Sequence, residues 1–267
     1  MTTLRRYAEI YAIMLRNSVI REMNFKANFL LWLAVELLWF FGQIIFIEVI
    51  FGYTENIGGW TKWEMVLLIG THQVVAQIFQ AFFYMNLSNI PELVRTGKMD
   101  FLLMLPVDAQ FAVSVKQFGL DSLVNTLVGI AFVLTAVWKL GVSISAAQVA
   151  LYLACVMCGV AVHYAVMLGL ASVSFWVVRA DGLIHGYYNL FNLGRYPDVI
   201  YRGMFKFVFT WVLPIVLVTN VPARVLARFG ETPGPAIGQL AAVTLGLLLV
   251  TRLIWQAAVR RYGSASS

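Results

Sequence analysis

The sequence is short of charge. Asp, Glu, Lys and Arg make up 12% of its 267 residues, whereas hydrophobic residues make up 61%. A soluble domain has about 25% charged and about 45–50% apolar residues, because its surface needs polar cover. This composition, with only two cysteines, excludes a soluble enzyme, a disordered tail and a disulfide-stapled secreted domain. It predicts an all-α polytopic membrane protein that forms one transmembrane domain over residues 1–267.

The sequence also lacks the common catalytic and nucleotide-binding motifs. The Gly97–Lys98 pair is followed by Met99, so it does not complete a phosphate-binding G-x-x-x-x-G-K-[ST] loop. There is no H-E-x-x-H or G-x-S-x-G pattern, and the acidic residues are scattered. The three histidines lie in separate segments: His72, His163 and His185. We therefore expect no enzyme activity, no catalytic residue and no metal site in this chain.

Six apolar runs are long enough to cross a membrane, since a helix spans a hydrocarbon layer of about 30 Å in about 20 residues. They cover residues 27–51, 63–83, 112–138, 147–178, 203–220 and 236–258. Residues 1–24 mix charged and apolar side chains at helical spacing. This favours a helix lying in the membrane interface over a plain extension of the first span.

The distribution of basic residues predicts the orientation. With the N-terminus inside, fifteen of the nineteen Lys and Arg fall on the cytoplasmic side, where basic residues are retained. Both termini are then cytoplasmic, together with the loops 86–110 and 179–201. The net charge of +6 reflects this bias and contact with anionic lipid headgroups, so it requires no nucleic-acid partner.

Polar side chains inside the predicted spans are candidate pathway residues, because their burial in lipid is costly. Those on the second span follow spacings of four, three and four, which places them on one helical face. An alternative interpretation is that such groups form interhelical hydrogen bonds that hold the bundle together. The candidates are Glu36, Gln43, Gln73, Gln77, Gln80, Tyr84, Asp121 and Asn125.

Proline and glycine indicate helix ends or breaks in two further regions. Pro91 suits a first helical turn and Gly97 suits a helix end, which predicts a short helix over Pro91–Thr96 in the first long cytoplasmic loop. Pro214 interrupts the fifth span, and Val221–Pro235 is rich in proline and glycine. We expect this part of the chain to exit the membrane, turn and partly re-enter.

Two stretches resemble a known family. Residues 97–106 read Gly-Lys-Met-Asp-Phe-Leu-Leu-Met-Leu-Pro, which resembles the G-x-[LIM]-D-x-x-L-x-x-P stretch of ABC-2-type transporter permeases with six spans and no fused ATPase. Arg195-Tyr196-Pro197, Ile200-Tyr201, Pro214 and Pro222 resemble the R-Y-P…I-Y…P…P pattern of that subgroup. The amphipathic start and the six spans also fit, so the resemblance covers nearly the whole chain.

The resemblance implies a permease subunit of an ATP-driven exporter in the bacterial inner membrane. It would work with two separate ATPase subunits, which bind the ATP and Mg²⁺, and with a second permease, identical or related. The resemblance does not fix the substrate, but the aromatic content of 14% and the neutral polar stripe on the second span favour an amphipathic one, either drug-like or lipid-like. The alternative is an ion-coupled secondary transporter that uses Glu36, Asp121 or His163 as a relay.

The resemblance also implies roles for particular segments. The N-terminal helix corresponds to a connecting helix, and Val221–Pro235 corresponds to an outer re-entrant element near the exit gate. The residues implied to couple to the ATPase are Pro91, Glu92, Leu93, Val94, Arg95, Thr96, Gly97 and Asp100. The residues implied at the gate are Pro214, Pro222 and Gly230.

Overall fold

The structure, a computed structural model, describes residues 3–24, 26–177, 180–228 and 233–263. The helices are α1 (Thr3–Asn24), α2 (Lys26–Tyr53), α3 (Lys62–Phe79), α4 (Met85–Ser88), α5 (Ile90–Arg95), α6 (Met99–Leu103), α7 (Ala109–Ser114), α8 (Leu120–Leu140), α9 (Ala146–Ser172), α10 (Asp181–Phe191), α11 (Gly203–Phe207), α12 (Ile215–Ala227) and α13 (Pro233–Arg261). Wider π turns cover Gln80–Tyr84 and Val208–Val212, and 3-10 turns cover Val173–Phe175, Asn192–Arg195 and Asp198–Ile200. The predicted all-α fold is confirmed.

Within the described ranges, five helices are long and apolar enough to cross a membrane. These five helices contain α2, α3, α8, α9 and α13. The second of them starts with α3 and continues without a sharp bend from Lys62 to Arg95. This second helix is the centre of the bundle, since 67% of its apolar window is buried against 11% for α2. It packs against α8 and α9, and α9 packs in turn against α12 and α13.

Glycines allow the central helices to approach closely. A Cβ atom on Gly129 of α8 would lie 3.1 Å from the backbone nitrogen of Val74 on α3. A Cβ atom on Gly159 of α9 would lie 2.9 Å from a side-chain methyl of Val218 on α12. Small residues at helix contacts are what permit tight packing in membranes, so these positions fix how α3, α8, α9 and α12 fit together.

The third span begins later than predicted. Residues 112–138 were expected to form it, but α7 ends at Ser114 and α8 begins only at Leu120. In between, the backbone N–H of Gln117 donates to Oδ1 of Asn86 at 2.7 Å, and Nδ2 of Asn86 donates to the carbonyl of Gln117 at 2.8 Å. Gly119 donates its N–H to the carbonyl of Ala81 at 2.9 Å. The break is stable because the π turn Gln80–Tyr84 and α4 satisfy backbone groups that a helix would otherwise satisfy.

The bundle has two ends, which we name after residues at each. The Trp60 end holds Trp60 and the start of α3, and the Asp108 end holds Asp108 and the segment around α5. Asp181, at the start of α10, interacts electrostatically with Arg95 at the Asp108 end. Val199 contacts Gly58 at the Trp60 end. Residues 181–200 therefore run the full length of the bundle.

The next segment enters and leaves at the same end. Gly203–Val212 and α12 meet at an angle of 81°, with Pro214 between them. The tip of this bend lies inside the bundle, where Ile215 approaches Gly194. The outgoing arm returns to the Trp60 end, where Arg228 pairs with Glu64 at 2.5 Å. Residues 203–227 thus form a re-entrant hairpin.

These contacts correct two predictions. The fifth span was placed at 203–220, and residues 179–201 were assigned to a cytoplasmic loop, whereas residues 181–200 make the fifth crossing. Only Ile184, Tyr187 and Phe191 of α10 are buried, and polar residues and glycines lie between them, so this segment contains no continuous apolar run. Together with the five long helices, six segments of the described chain then cross the bundle from end to end, and Arg195, Arg202 and Lys206 lie away from the Asp108 end.

The N-terminal segment is helical, as predicted for residues 1–24, over the described Thr3–Asn24. Tyr7 accepts a hydrogen bond from the backbone N–H of Asp108 at 2.9 Å, and its ring packs edge-on against Phe111. Further along, Ser18 accepts one from the backbone N–H of Phe118 at 3.2 Å. Helix α1 therefore lies along residues 108–118, at the Asp108 end.

Candidate functional site

A polar groove lies between α2, α3 and α10. It is a cavity of about 510 Å³ whose lining includes Glu36, Gln73, Gln77, Tyr188 and Asn192. A smaller adjoining cavity adds Gln43 and Arg195. Four of the predicted pathway residues, Glu36, Gln43, Gln73 and Gln77, are thus brought together, and α10 supplies polar groups opposite them.

The groove carries opposite charges that do not pair with each other. Arg195 donates from Nε to the carbonyl of Asn192 at 2.8 Å, and its guanidinium lies 5.8 Å from the ring centre of Trp39. Glu36 faces the amides of Gln77 and Gln73. No ion pair joins either charge to another side chain in the described part of the chain. Because charge is costly at membrane depth, both residues are candidates for contact with a transported molecule.

Gln80 and Tyr84 belong to the same groove through Tyr188. The Tyr188 hydroxyl donates to Oε1 of Gln80 at 2.8 Å, and its ring lies 4.5 Å from that of Tyr84. The π turn Gln80–Tyr84 changes the helical register here. All four predicted side chains on α3 and this turn therefore face α2 or α10.

Asp121 and Asn125 are not part of the cavity lining. Both lie on α8, where Asn125 is buried and Asp121 half-buried. The charge of Asp121 interacts with that of Glu36 across the bundle. The structure does not bring these two predicted residues into the groove.

His163 is enclosed by the protein. Its Nδ1 lies 2.9 Å from the Tyr187 hydroxyl. The centre of its ring lies 3.8 Å from the ring centre of Phe79 and 3.9 Å from that of Phe191. His72 binds the carbonyl of Phe191 through Nε2 at 3.1 Å. These contacts join α10 to α3 and α9, which favours the alternative of interhelical hydrogen bonding for His163.

Residues Arg195, Tyr188 and Asn192 are missing from the predicted pathway set. The sequence analysis placed them in a cytoplasmic loop, because the run from Asp181 to Tyr201 is not continuously apolar. The apolar residues of that segment recur at helical spacing, at Ile184, Tyr187 and Phe191, which are the buried ones. That periodicity was the signal from which a helix packed on one face against the bundle could have been predicted.

The short helix predicted over Pro91–Thr96 is present as α5, Ile90–Arg95. Pro91 and Leu93 are buried, while Glu92 and Arg95 form an exposed ion pair. Gly97 ends the helix with φ +70, a conformation that favours glycine. Helix α6 follows, and there Phe101 and Met104 are 69% and 70% exposed.

These side chains form one surface at the Asp108 end. The helix from Lys62 to Arg95 has 34 residues, about 50 Å at 1.5 Å per residue, against about 30 Å of hydrocarbon. The helix is therefore longer than the hydrocarbon layer is thick, and this surface lies at one end of it. We call this surface the docking face, and it consists of Glu92, Arg95, Thr96, Asp100, Phe101 and Met104. Phe101 and Met104 were not among the predicted coupling residues, although both lie in the Gly97–Pro106 stretch.

A polar junction connects the loop after the docking face to the membrane helices. Asp108 accepts hydrogen bonds from Arg252 of α13 at 2.6 and 3.1 Å and caps α7 through the backbone N–H of Phe111 at 3.2 Å. Arg252 also donates to Gln110 at 2.7 Å, and Gln110 donates to Tyr164 of α9 at 3.0 Å. The hydrogen bond from Arg252 lowers the pKa of Asp108 below its usual range.

The re-entrant hairpin is tied at the Trp60 end. Arg224 pairs with Asp198 at 2.5 Å, Arg228 pairs with Glu64 at 2.5 Å, and both guanidiniums lie over the Trp60 ring. Of the predicted gate residues, Pro214 lies at the bend and Pro222 lies within α12. Gly230 lies outside the described residues. The re-entrant element is thus residues 203–227, earlier in the chain than the predicted Val221–Pro235.

The comparison with known families agrees with this architecture. The crossings, the hairpin and the groove define a multi-pass membrane transport component. Residues 37–266 match the family described as ABC-2 family transporter protein. The match covers most of the chain, so this protein belongs to the ABC-2 transporter family and is a membrane permease of the ABC transporter type. No curated protein matches the sequence.

Among the described residues, no group of three or more His, Cys, Asp or Glu side chains is placed to hold a metal ion. The groove and the docking face are therefore the two surfaces whose chemistry bears most directly on function. The first lies between the long helices, and the second lies at one end of the bundle.

Proposed function

We propose that this chain is the permease subunit of an ATP-driven exporter whose ATPase subunits are separate proteins. The observation that carries the proposal is the docking face. Two large apolar side chains, Phe101 and Met104, are exposed there beside the Glu92–Arg95 ion pair. Exposed apolar residues beyond the lipid, framed by charge, are typical of a protein–protein contact. Two ATPase subunits, each binding its own ATP and Mg²⁺, are the proposed partners.

The groove is the proposed substrate pathway. It is polar, yet it opens beside α2, where only 11% of the residues in the apolar window are buried in the single chain. A polar groove facing lipid would be costly, and a second permease, identical or related, would cover it. The two grooves would then form one pathway for an amphipathic substrate, with polar groups at Glu36 and Arg195 and an apolar wall at Trp39.

The Asp108 end is proposed to face the cytoplasm of a bacterial cell, with the chain in the inner membrane and both termini inside. ATP is cytoplasmic, so the docking face must be cytoplasmic too. The hairpin at the Trp60 end would then lie on the exit side, where the Pro214 bend could open or close the pathway.

The Asp108 junction would transmit the motion of the ATPases. It joins the loop behind the docking face to α1, α9 and α13 through direct hydrogen bonds. A rigid contact of this kind can move several helices together as a unit. An ion-coupled transporter, in contrast, would need an accessible relay, and the enclosure of His163 by Phe79 and Phe191 argues against His163 in that role.

Two exposed methionines provide a matched test. Met104 of the docking face is 70% exposed, and Met204 of the hairpin is 72% exposed at the other end. The tagged chain is purified from its native membrane, bound proteins are identified by mass spectrometry, and ATP-dependent uptake is measured in inside-out vesicles. A Walker-motif ATPase should co-purify with the wild type and with Met204→Asp, but not with Met104→Asp. Transport that persists without any ATPase would refute the proposal.

A further inference from the structure

A second cavity lies between α2, α3 and α8, at the Trp60 end and away from the groove. Its volume is about 260 Å³. Its walls are mainly apolar and include Ile44, Ile47, Val66 and Phe132. Ile47 is 4% exposed although it lies on the least buried of the long helices. The cavity is therefore an apolar slot built into the bundle, and the proposed pathway does not use it.

The slot is closed at its deeper end. Phe40 of α2 packs against Phe132 of α8, with ring centres 5.1 Å apart. Its other end is framed by the ion pair of Glu48 and Lys62, at 2.6 Å. From Phe40 to Glu48 the helix rises about 12 Å, at about 1.5 Å per residue. The slot has the length and lining for a segment of an acyl chain.

Two cations converge at the mouth. The Nζ atoms of Lys62 and Lys139 lie 5.3 Å and 5.6 Å from the ring centre of Trp63. Lys139 also lies 4.6 Å from the ring centre of Trp138. Glu48 neutralises Lys62, whereas no carboxylate pairs with Lys139 within the ranges that the structure describes. The mouth therefore carries one uncompensated positive charge.

The position of the mouth matches the membrane boundary. Tryptophan and lysine are concentrated where hydrocarbon meets headgroups, and Trp63, Trp138, Lys62 and Lys139 all lie at this level. Trp138 is 74% exposed, as expected for a side chain that rests among lipid headgroups. A molecule that fills the slot would thus present its polar end at headgroup depth.

We propose that this slot binds one anionic phospholipid, with its phosphate at Lys139 and one acyl chain between α2 and the α3–α8 pair. The lipid would anchor α2 to the bundle, because α2 makes few other contacts there. The proposal concerns a site separate from the transport pathway and holds whether or not the chain is driven by an ATPase.

Native mass spectrometry of the purified, delipidated chain tests the site, with phosphatidylglycerol as the titrant. Lys139→Ala should weaken binding of the first lipid at least fivefold. Lys206→Ala should leave it unchanged, because Lys206 is an exposed lysine of α11 outside the slot. Thr135→Trp, at an exposed lining position, should block entry of the acyl chain. Equal binding by the wild type and Lys139→Ala would overturn the proposal.

Two competitors identify which part of the lipid is recognised. Phosphatidylcholine has the same acyl chains without net negative charge and should bind several-fold more weakly. Inorganic phosphate should not displace phosphatidylglycerol, since it cannot fill the slot. Displacement by phosphate, or equal binding of the two lipids, would contradict the proposed ligand. If Thr135→Trp does not fold, the comparison of Lys139→Ala with Lys206→Ala still decides.

Discussion

Asp108 and Arg252 are 144 residues apart in the chain, yet the guanidinium of Arg252 donates to both carboxylate oxygens of Asp108, at 2.6 and 3.1 Å. A bidentate pair of this kind fixes orientation as well as distance. It joins the segment behind the docking face to the last membrane helix. In the proposed mechanism, this is where the docking motion reaches α13.

Breaking the pair should uncouple transport from ATP hydrolysis. Asp108→Asn keeps the size of the side chain but removes its charge, so the ATPase should still bind while α13 follows its motion less closely. We expect transport per ATP to fall severalfold, measured as uptake and phosphate release on the same vesicles. Arg260→Gln, at an exposed position further along α13, should change neither rate. Normal transport by Asp108→Asn would remove the junction from the mechanism.

The same carboxylate predicts a dependence of stability on pH. The pKa of Asp108 is lowered in the folded protein, so the ionised form stabilises the fold. That contribution is complete above the unfolded value of about 4 and is lost as the pH falls through the lower, folded value. The difference in thermal unfolding temperature between the wild type and Asp108→Asn should therefore shrink below about pH 4. A difference that grows on acidification would contradict the assignment.

Charge in the groove should affect transport without affecting assembly. Arg195→Gln and Glu36→Gln each remove one of the two unpaired charges, and transport should fall while the ATPase remains bound. Arg202→Gln is the control, because Arg202 is exposed just beyond the fifth crossing. The readout is the initial rate of uptake at several substrate concentrations. Unchanged rates in both groove variants would place the pathway elsewhere.

Two neighbouring tyrosines should differ in their contribution to stability. Tyr187→Phe removes the partner of His163 Nδ1 in the buried core, and an unpaired buried polar group costs about 1–3 kcal/mol. Tyr188→Phe removes a bond to Gln80 at a less buried position, so it should cost less. Denaturant unfolding of the two variants in detergent compares them directly. Equal losses would show that the His163–Tyr187 contact is not specially stabilising.

The sequence predicted those elements that depend on local signals. Pro91 and Gly97 delimit α5 closely, and continuous apolar runs located α2, α3, α9 and α13. The fifth crossing was missed, because only one face of α10 is apolar and buried, while the polar residues Tyr188 and Asn192 line the groove. Hydropathy detects a continuous apolar run, and a crossing with only one apolar face lacks such a run.

The candidate site was predicted only in part, for a similar reason. The stripe from Gln73 to Tyr84 could be read from helical periodicity, and it does face the groove. Arg195 completes the groove only because residues 181–200 cross the bundle. Pairs such as Asp108 and Arg252 join distant parts of the chain, so no local pattern reveals them.

Sided cysteine labelling tests the architecture on which the proposed function rests. Cys155 and Cys158 are replaced by alanine, and single cysteines are introduced at Phe101 in the docking face and at Met204 in the hairpin. Each is exposed to a membrane-impermeant maleimide in sealed inside-out and right-side-out vesicles. We predict that Phe101→Cys reacts only from the cytoplasmic side and Met204→Cys only from the opposite side. Labelling of both from the same side would contradict the fifth crossing at residues 181–200 and the re-entrant hairpin that follows it.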